Sequence, residues 1–462
     1  MVLFSGRLRT VTIYVVLAIV PAVLGVVIAA WWADPGTPHQ TPTTPSGEIP
    51  GAGRLLFAVA VVSLATVAGG LLARLVRQPV VVGQMVVGIV LGPSVLGALA
   101  PGVESWLFPE GTASILVLLG GMGAIFFIFL VGLDFSVAEL RRSAPSIVAV
   151  GHGATAIPFL AGSVLAIVLA GFGELPEGGV AVNLFLAVAM SVTALPVLAA
   201  ILRERGLDQT RVGTLGIGAS VVGNATGWAM LAVTLAIATS TSTVGAVVAG
   251  GLVVLFGLFM WYFARPALAA LDRRGTVGPA LPALALSVLL LAAFTTDSLG
   301  VDAVVGAFLA GLILPRSAGF RMVNSKIEGL TEWLLLPMFF VASGLQTEIG
   351  TLGSARDFLL CLLILIVAVG SKVLGTILIA RGVGIGWLST AMLAAMMNCR
   401  GITELIVLNV GLHAGLLDRK LFTILTIMAI VTTIMTAPAL DLIARAERRR
   451  AAQSTAAQTS DL

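Results

Sequence analysis

The residues able to do chemistry in this sequence are a few polar side chains inside long apolar segments. Lys372 stands near the middle of one such segment, and a charge at that depth in a membrane is costly, so it marks a candidate functional site. Arg400 and Glu404 are four positions apart and share one face of a helix, which favours a structural ion pair over direct substrate contact. Such groups suit the binding and release of ions or protons.

Short motifs that would indicate an enzyme or a cofactor site are missing from the sequence. It contains no HExxH and no GxSxG string. The glycine-rich stretch Gly382–Gly386 lacks the preceding strand of a nucleotide-binding fingerprint, so a loop is expected there. We therefore expect no enzymatic activity, no cofactor, no resident metal ion and no nucleic-acid partner.

The elements that must position these residues are membrane-spanning helices. Hydrophobic residues make up 58% of the 462 positions and charged residues 10%, whereas soluble domains carry about 25% charged residues. Apolar runs of about 20 residues, which cross a bilayer as a helix, recur along the chain. They predict fourteen spans, at residues 11–32, 54–74, 80–99, 112–133, 144–171, 182–203, 211–239, 243–264, 279–296, 300–316, 331–346, 356–381, 387–411 and 419–444.

Basic residues between the spans predict the orientation. With the N-terminus inside, most Lys and Arg residues fall in the cytoplasm, as the positive-inside rule demands. The exceptions outside are Arg54, Arg356, Arg419 and Lys420. We therefore expect a multi-pass protein of the cell membrane with both termini in the cytoplasm.

The chain is predicted to have four regions. Residues 1–32 form an extra transmembrane helix, for which a cleaved signal peptide is the alternative. Residues 33–53, rich in Pro and Thr, form an external linker. Residues 54–444 form the transport domain, and residues 445–462 a short cytoplasmic tail.

Two spans have the features of interrupted helices. The breaking residues are Ser191, Thr193 and Pro196 in span 182–203, and Asn398, Arg400 and Gly401 in span 387–411. Each is the middle one of three long spans, and the predicted orientation makes the two run in opposite directions. Transporters with inverted repeats bind substrate where two such helices meet. Ordinary helix kinks are the alternative.

Several strings together resemble one transporter family. They are Gln78–Gly83, Gly88–Ser94, Phe129–Asp134, Ser191–Val197, Gly306–Gly311, Ser343–Leu345 and Met397–Asn409. They resemble the monovalent cation/proton antiporter-2 family, and in particular its plant-type cation/proton exchanger branch. The resemblance implies an all-α, inverted-repeat sodium/hydrogen exchanger fold of thirteen helices with two crossed discontinuous helices, to which residues 11–32 add a fourteenth. It also implies a homodimer with a mobile, elevator-like core.

The candidate ion site departs from the pattern of that family. In the stretch Val222–Trp228, Asn224 stands where the family has its usual ion-binding Asp, and Gly223 stands at the partner position. Gln84 stands where the family usually has Glu. An amide offers an oxygen to a cation but does not titrate. The site has therefore lost negative charge, while Lys372 matches the core lysine of the family.

Lys372 is therefore the candidate proton carrier. We hypothesise that Lys372, without an acid partner, releases its proton when a cation reaches Asn224, Thr193 and the unwound carbonyls of the breaks. A lysine that snorkels to the cytoplasmic interface is the alternative.

Three further titratable residues are weaker candidates. Asp134 matches an acidic residue of the family near the cytoplasmic end of its span, where a structural role is expected. A lone histidine such as His152 is more often a packing residue than a proton relay. Asp302 has no assigned role.

The sequence predicts a secondary transporter that exchanges protons for a monovalent cation, Na⁺ or K⁺. Because Asn224 replaces the acid, two alternatives stay open: a proton-coupled transporter of an organic anion, and a transport-inactive homologue.

Overall fold

The computed structural model describes residues 52–134, 145–176, 179–239, 243–274, 280–299, 302–315 and 317–460. The predicted N-terminal helix at 11–32 and nearly all of the linker at 33–53 lie outside these residues.

The described chain is almost entirely helical. Its α-helices are α1 (Ala52–Leu75), α2 (Val80–Leu91), α3 (Pro101–Leu107), α4 (Glu110–Asp134), α5 (Pro145–Gly171), α6 (Gly179–Ser191), α7 (Leu195–Glu204), α8 (Arg211–Thr239), α9 (Thr243–Phe259), α10 (Arg265–Arg274), α11 (Leu281–Ser298), α12 (Ala303–Ile313), α13 (Ala318–Leu330), α14 (Leu336–Leu345), α15 (Ala355–Gly382), α16 (Trp387–Met397), α17 (Ile402–His413) and α18 (Arg419–Ser460). Short π-helical segments join α9 to α10 and α13 to α14.

Most of these helices are long and apolar enough to cross a membrane. Ten helical segments of the described chain meet that criterion, and α16 with α17, bent by 42°, forms an eleventh span. Helices α2 and α12 are shorter apolar helices. Each of the thirteen spans predicted from residue 54 onward thus has a helical counterpart, which confirms a polytopic all-α membrane fold.

The bounds of some elements differ from the prediction. Helix α2 ends at Leu91 instead of running to residue 99, because Gly92 is extended and the following Pro93 cannot donate to a helix. The last helix continues to Ser460 where a tail was expected after residue 444. Its added residues are rich in Ala and Arg, which are strong helix formers.

The described chain falls into two compact units, residues 52–124 with 328–351 and residues 125–327 with 352–460. Within the first unit, small residues allow α2 to pack closely against α14. A Cβ atom on Gly88 would lie 2.1 Å from the carbonyl oxygen of Phe340, and one on Gly344 would lie 1.9 Å from that of Gly88. Glycine at these positions lets the two backbones touch.

The second unit contains both broken helices. Helices α5 to α8 form one group, helices α15 to α18 form another, and α5 packs along α15. A Cβ atom on Gly153 would lie 2.1 Å from Cγ1 of Ile379, and one on Gly375 would lie 2.8 Å from the carbonyl oxygen of Gly153. This close packing joins the first helices of the two groups, whose middle members are the broken helices.

Candidate functional site

The first broken helix consists of α6 and α7, separated by Val192, Thr193 and Ala194. Pro196 lies in the first turn of α7, where its missing N–H costs no helical hydrogen bond. The interruption leaves the last carbonyl groups of α6 without partners in their own helix. These carbonyls are buried, so they require donors from elsewhere.

The second broken helix consists of α16 and α17, and the residues 398–401 lie between them. Gly401 allows α7 to approach this break, because a Cβ atom there would lie 2.7 Å from Cγ2 of Val197. The carbonyl oxygen of Arg400 accepts a hydrogen bond of 2.6 Å from Oγ1 of Thr433 on α18. The second break is therefore in contact with α7 on one side and α18 on the other.

The two breaks cross and cap one another. The backbone N–H of Ala194 donates to the carbonyl oxygen of Cys399 (3.0 Å), and Oγ1 of Thr193 donates to that of Met397 (3.3 Å). In return, Arg400 donates to the carbonyl oxygens of Ala189 and Met190, both at 2.7 Å. Each break thus supplies donors for the free carbonyls of the other. This confirms the predicted crossing of two discontinuous helices.

Lys372 reaches the first break from α15. Its side chain is completely buried, and Nζ donates to the carbonyl oxygen of Ala154 (3.1 Å), to Oγ1 of Thr193 (2.8 Å) and to the carbonyl oxygen of Ser191. The lysine therefore does not extend to the interface as a snorkelling side chain would. The hypothesis left Lys372 without an acid partner, and its three contacts are indeed uncharged oxygens.

The ammonium group of Lys372 binds two backbone carbonyls that have no donor in their own helix. Pro158 lies inside α5, four residues after Ala154, and it has no N–H to donate to the carbonyl of Ala154. The carbonyl of Ser191 is free for a different reason, since the N–H of Leu195 bonds instead to Thr193. Our sequence reasoning missed Pro158. A proline in mid-span, four residues after a buried position, was the signal that could have found it.

Arg400 and Glu404 form a buried ion pair within the second broken helix. Their Nη1 and Oε2 atoms are 2.8 Å apart, and neither side chain is exposed. Oε1 of Glu404 has no hydrogen-bond partner within the described part of the chain. The positive charge of Arg400 is thus balanced locally, whereas that of Lys372 is not.

Asn224 is buried on α8, the helix that packs against both broken helices. A Cβ atom on Gly216 would meet Sδ of Met396 at 2.5 Å, and one on Gly227 would meet Cγ2 of Val192 at 3.4 Å. Asn224 lies within one turn of Gly227 on this helix. The side chain is 2% exposed, and neither its oxygen nor its nitrogen has a partner among the described residues.

Two more buried polar side chains each have an oxygen atom without a hydrogen-bond partner among the described residues. Ser220, four residues before Asn224, is buried and its Oγ has no partner in the described chain. The same holds for Oδ1 of Asn398 in the second break. Buried polar atoms without protein partners are rare and are usually met by water or an ion. Our sequence reasoning missed Ser220, although its spacing of four from Asn224 was a usable signal.

Gly223 has a packing role that the sequence did not reveal. A Cβ atom at this position would lie 2.7 Å from Oγ1 of Thr155 and 3.5 Å from the carbonyl oxygen of Gly151. Helices α5 and α8 therefore meet at Gly223, and any side chain there would require Thr155 to shift.

The remaining predicted residues lie elsewhere. Gln84 is half-buried on α2, in the first compact unit. Asp134 is the last residue of α4, and its side chain is outside what the structure describes. His152 is exposed, with Nδ1 3.5 Å from Oγ1 of Thr226, so it is not a packed core residue.

Asp302 caps α12. Its Oδ1 accepts from the N–H of Val304 at 2.9 Å, and its carbonyl oxygen accepts from Oγ1 of Thr296 at 3.2 Å. The bond from Val304 is that of an N-cap side chain, and the bond from Thr296 ties this cap to α11.

Two of the basic residues predicted outside form an ion-pair network. Glu174 binds Arg356 at 2.8 Å and Lys420 at 2.9 Å, and Lys420 also binds Asp357 at 2.6 Å. The network joins the end of α5 to the first turns of α15 and α18.

These features define a class of protein. Many apolar helices, two broken helices that cross, and a buried ammonium group at their crossing are the architecture of a secondary transporter. Residues 59–444 match the family described as "Sodium/hydrogen exchanger, transmembrane". The chain belongs to this family, whose members are transporters and not enzymes, which confirms the resemblance noted in the sequence.

Individual relatives agree with this assignment. The chain is 34% identical over 387 residues to the Na(+)/H(+) antiporter NhaS4 of Synechocystis, covering 82% of this chain and 94% of that protein. It is 33% identical over 395 residues to the Cation/H(+) antiporter 17 of Arabidopsis thaliana, covering 83% of this chain. This chain spans only about half the length of that plant relative, 47%.

A solved structure has the same fold. The sodium proton antiporter MjNhaP1 from Methanocaldococcus jannaschii superposes with a TM-score of 0.57 at 19% sequence identity, covering 85% of this chain and 98% of that one.

Proposed function

We propose that the chain exchanges protons for a monovalent cation, Na⁺ or K⁺, at the crossing of its two broken helices. The similarity to relatives named as Na(+)/H(+) and cation/H(+) antiporters supports this exchange. The observation that carries it is the Lys372 ammonium group, completely buried and bound to uncharged oxygens. No finding favours the organic-anion alternative.

Lys372 is the proton carrier in this proposal. Among the described residues no acid contacts its ammonium group, and Glu404, the acid of the second broken helix, is paired with Arg400. Loss of one proton from Nζ removes one positive charge, and entry of one monovalent cation restores it. A buried site that already holds the charged ammonium group accepts a second positive charge only at a high free-energy cost. Proton release from Lys372 and cation entry are therefore linked.

The cation is received by uncharged ligands. Asn224, Ser220 and Asn398 have buried oxygens without partners among the described residues, and Thr193 adds a hydroxyl in the first break. The cation is transported and leaves again, so this set serves as a transit site on its way to and from the oxygens of the first break. Pro196, Gly223, Arg400 and Glu404 keep the surrounding helices in place.

The arrangement in the membrane is also a proposal. Both termini lie in the cytoplasm and the protein resides in the cell membrane, in line with the distribution of Lys and Arg. Residues 1–32 add a helix before the linker 33–53, residues 54–444 form the transport domain, and residues 445–462 lie on the cytoplasmic side. The protein works as a homodimer in the bilayer, as the family resemblance implies.

Everted membrane vesicles test this function. A pH gradient is established, and Na⁺, K⁺, Li⁺ and Rb⁺ are added in turn to vesicles with the native protein, Asn224→Asp or Lys372→Ala. We expect the native protein to dissipate the gradient on cation addition and Lys372→Ala to lose this coupling. Undiminished coupling in Lys372→Ala would remove Lys372 from the proton-carrying role. A response by Asn224→Asp alone would overturn cation/proton exchange as the native function.

A further inference from the structure

Three oxygens surround the ammonium group of Lys372, and we call them the ammonium cage. They are the carbonyl oxygen of Ala154, the carbonyl oxygen of Ser191 and Oγ1 of Thr193. Helices α5 and α6 and the first break supply one oxygen each. The two carbonyls are available because Pro158 and the helix break remove their usual donors.

The group held in the cage is itself a monovalent cation, the ammonium group of Lys372, attached through its side chain to α15. A protonated amine and an alkali-metal ion place the same charge at the centre of the same oxygens. Carbonyl and hydroxyl oxygens that replace water around an ion are also the ligands of potassium selectivity filters. The cage is therefore a cation site that is filled by a side chain in this structure.

The size of the cage is matched to a large ion. An ammonium group is close to potassium in size and larger than sodium or lithium, which need shorter contacts to oxygen. Contraction of the cage would require α5 and α6 to move together. A Cβ atom on Gly162 would lie 2.8 Å from Cα of Ala187 and 3.0 Å from Cβ of Met190, so these helices are already in contact.

The absence of charge on the three cage oxygens also favours a large cation. Small cations hold their water strongly and are best compensated by carboxylates, whereas neutral oxygens suffice for a large, weakly hydrated cation. The acid position on α8 is occupied by Asn224, and its neighbour Gly223 has no side chain.

We propose that the transported cation binds in the ammonium cage once the Lys372 side chain has left it, and that the cage selects potassium over sodium and lithium. This inference rests on the proposed function and specifies its substrate. Nζ gives one proton to water, the neutral amine leaves the three oxygens, and one cation takes its place. No other bond is formed or broken.

Pro158 is a positioning residue for this site. Replacing it with alanine supplies an N–H that can bond to the carbonyl of Ala154 in the ordinary helical way, so that oxygen turns away from the cage. The substitution removes a helix breaker and leaves every cage atom present. Weakened cation binding would therefore not come from misfolding.

The test is the cation concentration that gives half-maximal proton flux in reconstituted vesicles. For the native protein we expect K⁺ and Rb⁺ to saturate at concentrations at least several-fold lower than Na⁺ and Li⁺. Pro158→Ala and Thr193→Val should each raise the half-saturating K⁺ concentration on the order of tenfold, the effect of losing one hydrogen-bonding ligand. Thr193→Ser keeps the hydroxyl and should raise the half-saturating K⁺ concentration less than Thr193→Val does.

Matched controls separate the possible failures. Pro438→Ala removes a proline inside α18, and Thr66→Val removes a buried hydroxyl in α1, so neither alters the cage. If Pro158→Ala and Thr193→Val behave like these controls, the cage is not the cation site. If Na⁺ gives half-maximal flux at a lower concentration than K⁺ does, the proposed selectivity is wrong, but the proposed function stands. Absence of flux with every cation overturns the proposed function itself.

Discussion

Arg400 and Glu404 are joined by a 2.8 Å ion pair in which both side chains are completely buried, and Arg400 also holds the carbonyls of Ala189 and Met190. One guanidinium group therefore balances an acid of its own helix and caps the end of α6. The acid has one partner among the described residues, whereas the base has three, and the two residues should differ in their importance for stability.

Replacing Arg400 should destabilise the protein more than replacing Glu404. Arg400→Met leaves a buried carboxylate and two carbonyls without a donor, and we expect a loss of about 3–5 kcal/mol in the free energy of unfolding. Glu404→Gln keeps the carbonyl contacts of Arg400, so a loss of about 2 kcal/mol is expected. Thermal unfolding in detergent measures both, and an equal or larger loss for Glu404→Gln would contradict this division of roles.

Gly401→Ala should separate the two breaks. Its Cβ atom would lie 2.7 Å from Cγ2 of Val197, so α7 must shift, at a cost of about 1–3 kcal/mol. We expect slow transport by protein that still inserts in the membrane. Gly370→Ala, where a Cβ atom meets open space on α15, is the matched control and should transport normally. Equal rates for the two variants would show that the contact is unimportant.

The sequence predicted the spans because apolar length is a local property, and it located both breaks because Pro196 and Gly401 are local signals. It could not show that Lys372 bonds to Ala154, since this contact joins residues 218 positions apart. It named Gly223 only as the partner position of Asn224 and could not show its close contact with Thr155, 68 positions away. Both features depend on contacts between distant parts of the chain, which local sequence patterns do not contain.

The exchange should be electrically silent. One proton leaves Lys372 for each monovalent cation that enters, so the charge carried by the crossing is the same in both directions of transport. Charge movement recorded on a supported membrane should show no sustained current when K⁺ and a pH gradient are applied. A steady current that scales with the rate of proton flux would mean that a second proton or a second ion moves.

Lys420 should contribute more to stability than Arg356, although both bind Glu174. The Lys420 side chain is 29% exposed and also binds Asp357, whereas that of Arg356 is 62% exposed. We expect Lys420→Met to cost about 1 kcal/mol and Arg356→Met to cost less, because exposed ion pairs contribute little. Unfolding at low and high salt tests this, and the difference between the variants should shrink as salt is added.

The reciprocal hydrogen bonds between the breaks also constrain how the protein is made. Thr193 and Met397, which bond across the crossing, are separated by 204 residues. At about 5–20 residues per second, roughly 10 to 40 s pass between synthesis of the first break and of its partner. During that interval, the free carbonyls of α6 must be sheltered by water or by the insertion machinery. Until Arg400 has been synthesised, the carbonyls of Ala189 and Met190 lack the donor that the finished fold gives them.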